Sequence, residues 1–225
     1  MLAEVAPARA YAARMTWQTD LLERIRSQVP AGSTVEPYGS VTEPGTLDGW
    51  SDVDVTLTLT ADVDAEALLD STPWAWQEHE TETTQTLRLV LVDGRRVDLT
   101  VLGERVRLPT PPADDSVRFD AALAAVRFGR RNDLIGMHLV LGIVRTALVD
   151  VMVAIDAETG TDHHRSGSPL DARASEAHAL LAEPLGPDLA LRAAEFAGRC
   201  RTAIDPGHRA DWSGLRAVIA LGAGG

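Results

Sequence analysis

The pattern of apolar residues changes at a proline-rich segment, and this change constrains the fold more than any other feature of the sequence. Residues 108–113 contain three prolines, which disfavour both helix and sheet and are typical of a stiff linker. Before the segment, Val- and Thr-rich runs alternate between apolar and polar residues as strands do, and after it apolar residues recur at helical spacing. The sequence therefore predicts an α+β protein, with a small mixed β-sheet and flanking helices in residues 1–112 and an all-α helical domain in residues 113–225.

Local patterns place the individual elements. A helix is expected within the first thirty residues, ending before Pro30, and a short helix is expected at 65–69. The last two strands are joined at Asp93-Gly94, a dipeptide typical of a two-residue hairpin turn. The expected strands are 33–38, 52–59, 86–92 and 96–102. The expected helices after the linker are 115–128, 132–156, 171–182, 186–203 and 213–221.

The charged residues exclude several classes of protein. All 21 basic residues are arginine, and without a lysine amine the chain cannot be a Schiff-base enzyme, a lysine-dependent ligase or a P-loop NTPase. The 33 acidic residues give a net charge of −12, which disfavours nucleic acid as a partner because that binding depends on neutralising phosphates. The single cysteine, Cys200, excludes an internal disulfide and favours a reducing, cytoplasmic location.

The longest apolar run, residues 134–155, is long enough to cross a bilayer. It contains His138, Arg145 and Asp150. Each Arg or Asp near the membrane centre raises the free energy of membrane insertion by roughly 2.5–3.5 kcal/mol. A buried helix of a soluble domain is therefore predicted, and no membrane partner.

Three aspartates are the candidates for chemistry. Asp52 and Asp54 are two residues apart on a predicted strand, so both carboxylates project from the same face and repel each other unless a cation lies between them. Asp98 interrupts a later strand, where burial without a partner would cost several kcal/mol. Gly39-Ser40 ends the first strand, where backbone N–H groups and a hydroxyl can hold phosphate oxygens. Together they indicate a Mg²⁺-dependent phosphoryl-transfer site; the alternatives are an acidic strand end in solvent and a simple turn.

This arrangement resembles the polymerase-β-type nucleotidyltransferase superfamily, and within it the aminoglycoside and lincosamide antibiotic nucleotidyltransferases. The resemblance covers residues 38–102, from Gly39-Ser40 through Ser51-Asp52-Val53-Asp54 to the strand of Asp98. It implies a nucleotidyltransferase domain followed by a helical acceptor-binding domain. The implied reaction moves a nucleoside monophosphate, expected to be AMP, from an NTP such as ATP to a hydroxyl of a small molecule, with pyrophosphate leaving and two Mg²⁺ ions assisting.

The resemblance also implies roles for individual residues. Asp52 and Asp54 would bind the metal that bridges the triphosphate. Asp98 would bind the second metal or act as the base that removes the proton from the acceptor hydroxyl. The residues expected to bind the nucleotide are Gly39, Ser40, Ser51 and Arg165. The loop between Ser40 and Ser51 lacks the basic residue that many members carry, so arginines elsewhere must face the triphosphate.

Several readings stay open at the level of the sequence. The segments Arg130-Arg131-Asn132-Asp133 and His163-His164-Arg165 are candidates for closing over the nucleotide. Trp50 could stack on a base or drug ring, or pack within the protein. Glu78, Glu80 and Glu82 form a solvated strand face or supply a replacement for Asp98 as the base. The alternative function is an antitoxin-like or regulatory protein that keeps the fold and modifies or binds another protein.

Overall fold

The computed structural model describes residues 16–160, 167 and 169–224. Within these residues the chain is a mixed α/β protein. The helices are α1 (Trp17–Gln28), α2 (Ala65–Leu69), α3 (Asp115–Gly129), α4 (Asp133–Thr159), α5 (Ala172–Leu181), α6 (Pro187–Ile204) and α7 (Ser213–Ala223). The strands are β1 (Thr34–Tyr38), β2 (Val53–Leu59), β3 (Val63–Asp64), β4 (Pro73–Glu80), β5 (Thr84–Leu91), β6 (Arg96–Gly103) and β7 (Val106–Arg107). The helices expected after the proline-rich segment are all present, within a few residues of the expected limits.

The main sheet has five strands in the order β1-β2-β6-β5-β4. Strands β2 and β6 are parallel, whereas the other neighbouring pairs are antiparallel. The expectation of a small mixed sheet is therefore confirmed. Strand β4, which carries Glu78 and Glu80, is an edge strand with four buried residues followed by four exposed ones.

The turn between β5 and β6 differs from the sequence prediction by one residue. The Leu91 N–H donates to the Arg95 carbonyl and the Gly94 N–H donates to the Leu91 carbonyl, both at 2.9 Å. The loop is thus three residues long, 92–94, and it ends in a glycine with φ of +85°, a conformation in which Gly94 avoids the strain a side chain would meet. Because of this extra residue, Arg88 lies opposite Asp98 in the ladder rather than opposite Leu99.

The two faces of the sheet belong to different parts of the core. One face packs against α1 and α2 through the alternate, fully buried residues of β2 and β6. The other face is covered by α3, and Trp74, Ala75 and Val90 of β4 and β5 share a core with the C-terminal helices. Residues 108–112 form neither helix nor strand, as predicted for a linker. The proposed boundary at residue 112 stays a prediction, because this core crosses it.

Helix α4 departs from the expectation of a buried helix. It packs mainly against α3 and α6, and only 28% of its most apolar stretch is buried. Two neighbours can cover only one side of a helix, so the expectation that α4 is buried was wrong. Within the described ranges it is also the one helix long and apolar enough to cross a membrane.

Candidate metal centre

Two neighbouring parallel strands bring Asp54 and Asp98 directly opposite each other. They are paired in the register of β2 with β6, so both side chains leave the same face of the sheet. Asp52 lies just before β2, two residues from Asp54. One carboxylate oxygen from each of the three aspartates lies within 4.8 Å of the other two. The three aspartates singled out in the sequence therefore meet at one place.

The cluster is electrostatically unfavourable without a cation. Burial, reinforced by the charges of Asp52 and Asp98, raises the pKa of Asp54 to about 6. Burial also raises the pKa of Asp98, against the opposing effect of Arg88. Two carboxyl groups whose charged forms are disfavoured, held beside a third, are stabilised by a cation placed among them.

The donor set fits a hard divalent ion. All three groups offer carboxylate oxygens, which Mg²⁺ prefers, and there is no sulfur or imidazole that would favour zinc. Within residues 16–160 and 169–224, no other trio of His, Cys, Asp or Glu side chains brings its ligand atoms this close. The residues that would hold such an ion are Asp52, Asp54 and Asp98.

Gly39 lies directly against this cluster. Its φ is +66°, and a Cβ added there would lie 2.5 Å from the Oδ2 atom of Asp54. A side chain at this position would therefore be strained and would also displace the carboxylate. Gly39 and Ser40 begin a 3₁₀ turn that follows β1, and Gly39 sets the start of this turn against the Asp54 carboxylate. That this turn binds phosphate stays a prediction.

Ser51 is fully buried and its hydroxyl is engaged within the protein. It donates to the Oδ1 atom of Asp48 at 2.8 Å and accepts from the Nη2 atom of Arg130 at 2.9 Å. The same Arg130 nitrogen contacts Asp48 Oδ1 at 3.1 Å. These contacts tie the end of α3 to the loop before Asp52, which is a positioning role rather than a ligand contact.

Arg96 also holds the loop before Asp52 in place through hydrogen bonds to its backbone. This arginine is only 6% exposed, and its Nη2 atom donates to the carbonyls of Gly49 at 3.2 Å and Ser51 at 3.0 Å. Burial lowers its pKa to about 10, although the charge of Asp52 acts in the opposite direction. Gln18 adds a bond of 2.8 Å from its amide to the Asp48 carbonyl. The backbone that carries Asp52 is thus held by buried side chains from α1 and β6.

Arginines surround the aspartates on the side of α3. Arg88 contacts the Oδ2 atom of Asp98 at 3.0 Å and lies 5.5 Å from the centre of the Phe119 ring. Arg127 and Arg130, three residues apart on α3, line the same small cavity as Asp52 and Asp98. The Nε atom of Arg127 is buried there without a hydrogen-bond partner.

The cavity between α3 and the sheet has a volume of about 30 Å³, which is room for little more than a water molecule. Gly39 and the 43% exposed Tyr38, which pairs with Asp54 in the register of β1 with β2, are both exposed to solvent beside the carboxylates.

The other candidate residues fall into two groups. His163, His164 and Arg165 lie outside the described residues. Trp50 is packed between Gly129 and Gly222, where no Cβ could be accommodated, so it packs within the protein and does not stack on a ligand.

Two of the three glutamates considered as replacements for Asp98 are occupied elsewhere. Glu78 accepts a bond of 2.7 Å from the Gln85 amide, and Glu80 one of 2.9 Å from the Nε atom of Arg105. None of the three, Glu82 included, belongs to the cluster of aspartates.

Among known proteins, no family model matches this chain and no curated sequence matches it significantly.

Three arginines at the site, Arg88, Arg96 and Arg127, were not identified from the sequence. For Arg88 a signal existed, since it interrupts a strand as Asp98 does. Arg127 and Arg96 carry no such signal, because arginines are common on helices and at strand ends.

Proposed function

We propose that this protein is a metal-dependent nucleotidyltransferase that moves a nucleoside monophosphate from an NTP to a hydroxyl group of a small molecule. The observation that carries the proposal is the trio Asp52, Asp54 and Asp98 on two adjacent strands, with the backbone of Gly39 against Asp54. Carboxylates of this kind hold a divalent ion together with substrate phosphates. The resemblance of residues 38–102 to nucleotidyltransferases agrees with this chemistry. The nucleotide donor that this resemblance implies is ATP.

The reaction assigns a task to each group. The acceptor oxygen attacks the α-phosphorus, the bond from that phosphorus to the bridging oxygen breaks, and pyrophosphate leaves with the bonding electrons. A divalent ion held by the aspartates would neutralise phosphate charge during this step. The hydroxyl proton passes to a carboxylate, and we assign this step to Asp98, which the Arg88 guanidinium holds in place at 3.0 Å.

Phosphate binding requires groups that replace the missing lysines. The turn at Gly39-Ser40 begins beside Asp54, and its backbone N–H groups would bind phosphate oxygens. Arg127 and Arg130 lie on the side of α3, and the unpartnered Nε atom of Arg127 is free to meet an anionic oxygen after a small movement of the helix or side chain. These groups would take the place of a basic residue in the loop before Asp52.

The acceptor that we propose is an aminoglycoside or lincosamide antibiotic. Residues 1–112 carry 18 acidic residues against nine arginines, and such a surface attracts a polycationic acceptor. A neutral or weakly basic lincosamide would depend less on this attraction, so the salt dependence of KM would distinguish the two acceptors.

Pyrophosphate release tests the proposal directly. Purified protein with Mg²⁺ and each of the four NTPs is incubated with a panel of aminoglycosides and lincosamides. Release that requires one drug and is lost in Asp54→Asn, while the exposed-carboxylate control Glu36→Gln retains it, supports the proposal. Release that requires a second polypeptide favours a regulatory protein instead. Absence of both NTP binding and turnover contradicts a nucleotidyltransferase.

A further inference from the structure

Tyr38 is the exposed aromatic residue of the described chain. Every other aromatic side chain in residues 16–160 and 169–224 is buried or half-buried. A single exposed ring is ordinary on a protein surface, so its exposure alone indicates no function. Its position beside the three aspartates makes it a candidate for contact with a ligand.

The register of the sheet places Tyr38 in one row with the carboxylates. Tyr38 lies opposite Asp54 in the pairing of β1 with β2, and Asp54 lies opposite Asp98 in the pairing of β2 with β6. Side chains of directly opposite residues leave the same face of a sheet, and their Cβ atoms are about 5 Å apart on neighbouring strands. The Tyr38 ring therefore leaves the sheet next to the Asp54 carboxylate, two strands from Asp98.

The backbone on both sides of Tyr38 is fixed. Tyr38 is the last residue of β1, and its φ of −140° and ψ of −178° are extended. Gly39 follows and turns the chain against Asp54, and the Thr42 hydroxyl donates to the Gly39 carbonyl at 2.8 Å. Val41 anchors the same turn in the core, where it is buried. The ring is thus presented by a strand end and a closed turn, which hold its Cα in place before a ligand binds.

We propose that Tyr38 stacks on the base of the NTP and gives the protein a preference for purine nucleotides. This inference rests on the proposed nucleotidyltransferase function, because the base lies here only if the phosphates bind at the aspartates. Stacking of a base on an aromatic ring contributes about 1–3 kcal/mol and requires a flat partner rather than a particular hydrogen-bonding edge. A purine covers more of the tyrosine ring than a pyrimidine does, so ATP and GTP should bind more tightly than CTP and UTP.

The neighbouring side chains favour this assignment. On the side of α3, Arg127 and Arg130 offer guanidinium groups, which suit phosphate oxygens. Trp50, the other aromatic residue considered for stacking, is packed between Gly129 and Gly222 inside the protein. The ribose separates the base from the α-phosphate by several bonds, which is enough to cross the strand spacing of about 4.8 Å between β2 and β1.

Calorimetry in the presence of Mg²⁺ tests the stack with three probes: ATP, UTP and tripolyphosphate, which has no base. The wild type should bind ATP more tightly than UTP. Tyr38→Leu should weaken ATP binding about tenfold, as expected for the loss of about 1.4 kcal/mol of stacking, and should leave tripolyphosphate binding unchanged. Tyr38→Phe keeps the ring and should bind all three probes like the wild type. Both variants should keep the circular dichroism spectrum of the wild type, because the side chain is exposed.

Glu36→Gln is the matched control, an exposed change two residues earlier on β1 that should leave all three affinities unchanged. Equal losses of ATP and tripolyphosphate binding in Tyr38→Leu would show that the residue shapes the turn, and would overturn the stack. An unchanged ATP affinity in that variant would overturn it as well.

The wild type alone separates this inference from the proposed function. A wild type that binds tripolyphosphate as tightly as ATP overturns the stack but leaves the metal and phosphate site in place. A wild type that binds neither probe contradicts the nucleotidyltransferase function itself, and the stack with it.

Discussion

Replacement of Asp54 by asparagine should stabilise the metal-free protein while it removes metal binding. Asp54 has a pKa of about 6 because of burial and of the charges of Asp52 and Asp98, compared with an ordinary value of 3.8. A difference of about two pKa units corresponds to at most about 3 kcal/mol of unfavourable free energy in the ionised protein. Since Asp54 is only partly buried, solvent screening reduces this to about 1 kcal/mol. The Asp54→Asn variant should therefore unfold about 2–4 °C higher than the wild type.

The effect has a defined dependence on pH. The folded protein binds the proton more tightly than the unfolded chain, so the Asp54 contribution lowers stability as pH rises from about 4 to 6. The advantage of Asp54→Asn should be complete at pH 7.5 and about half as large at pH 5. Urea denaturation in EDTA at both pH values measures it, with Glu36→Gln as a control that changes stability by less than about 0.5 kcal/mol.

Addition of Mg²⁺ should reverse the order of stability. A ligand at 100 times its Kd stabilises the folded state by about 2.7 kcal/mol, which exceeds the advantage of the variant. The wild type should then be more stable than Asp54→Asn, because only the wild type keeps all three carboxylates. The prediction rests on repulsion among the three carboxylates, which a bound cation relieves. A variant that is less stable than the wild type in EDTA, or equally stabilised by Mg²⁺, would refute this explanation.

Gly39→Ala should lower the free energy of unfolding in urea by roughly 1–2 kcal/mol, because its Cβ would lie 2.5 Å from the Asp54 carboxylate. For the same reason it should weaken Mn²⁺ binding at least tenfold, as measured by calorimetry. Unchanged binding would show that the Gly39 turn does not shape the metal site. Arg96→Met should destabilise the protein by about 2–4 kcal/mol in urea, because two buried carbonyls lose their donor, whereas the exposed Arg26→Met should have little effect. Mn²⁺ affinity of the wild type should fall when pH is lowered from 7.5 to 5, because the proton competes for Asp54 at a pKa of about 6; a flat profile in calorimetry would point to other ligands.

Much of the fold could be predicted because its local signals are strong and agree with one another. The alternation of Val and Thr at 52–59 placed β2, and helical spacing after residue 113 placed five helices within a few residues. The turn between β5 and β6 shows the limit of local signals. Asp93-Gly94 favours a two-residue loop, but the strands adopt a three-residue loop. The choice between these loops depends on which face of the strands is buried, and that is a property of the whole sheet.

The candidate site divides in the same way. The sequence by itself indicated which carboxylates belong to the candidate site, because two aspartates two residues apart on a strand must share a face and an aspartate in an apolar strand needs a partner. Only the tertiary structure decided that β2 and β6 are parallel neighbours, which sets Asp54 opposite Asp98. It also decided that Ser51 is enclosed by Asp48 and Arg130 rather than open to a ligand.

The arginines and the exposed helix were decided entirely by packing. Arg88 reaches Asp98 because of the register of one hairpin, and Arg127 reaches the site because α3 crosses that face of the sheet. The apolar run of α4 predicted burial, but α3 and α6 cover only one side of it. Periodicity determines that a helix has an apolar face. The number and position of its neighbours determine whether that face is covered, and these depend on contacts between residues far apart in the chain.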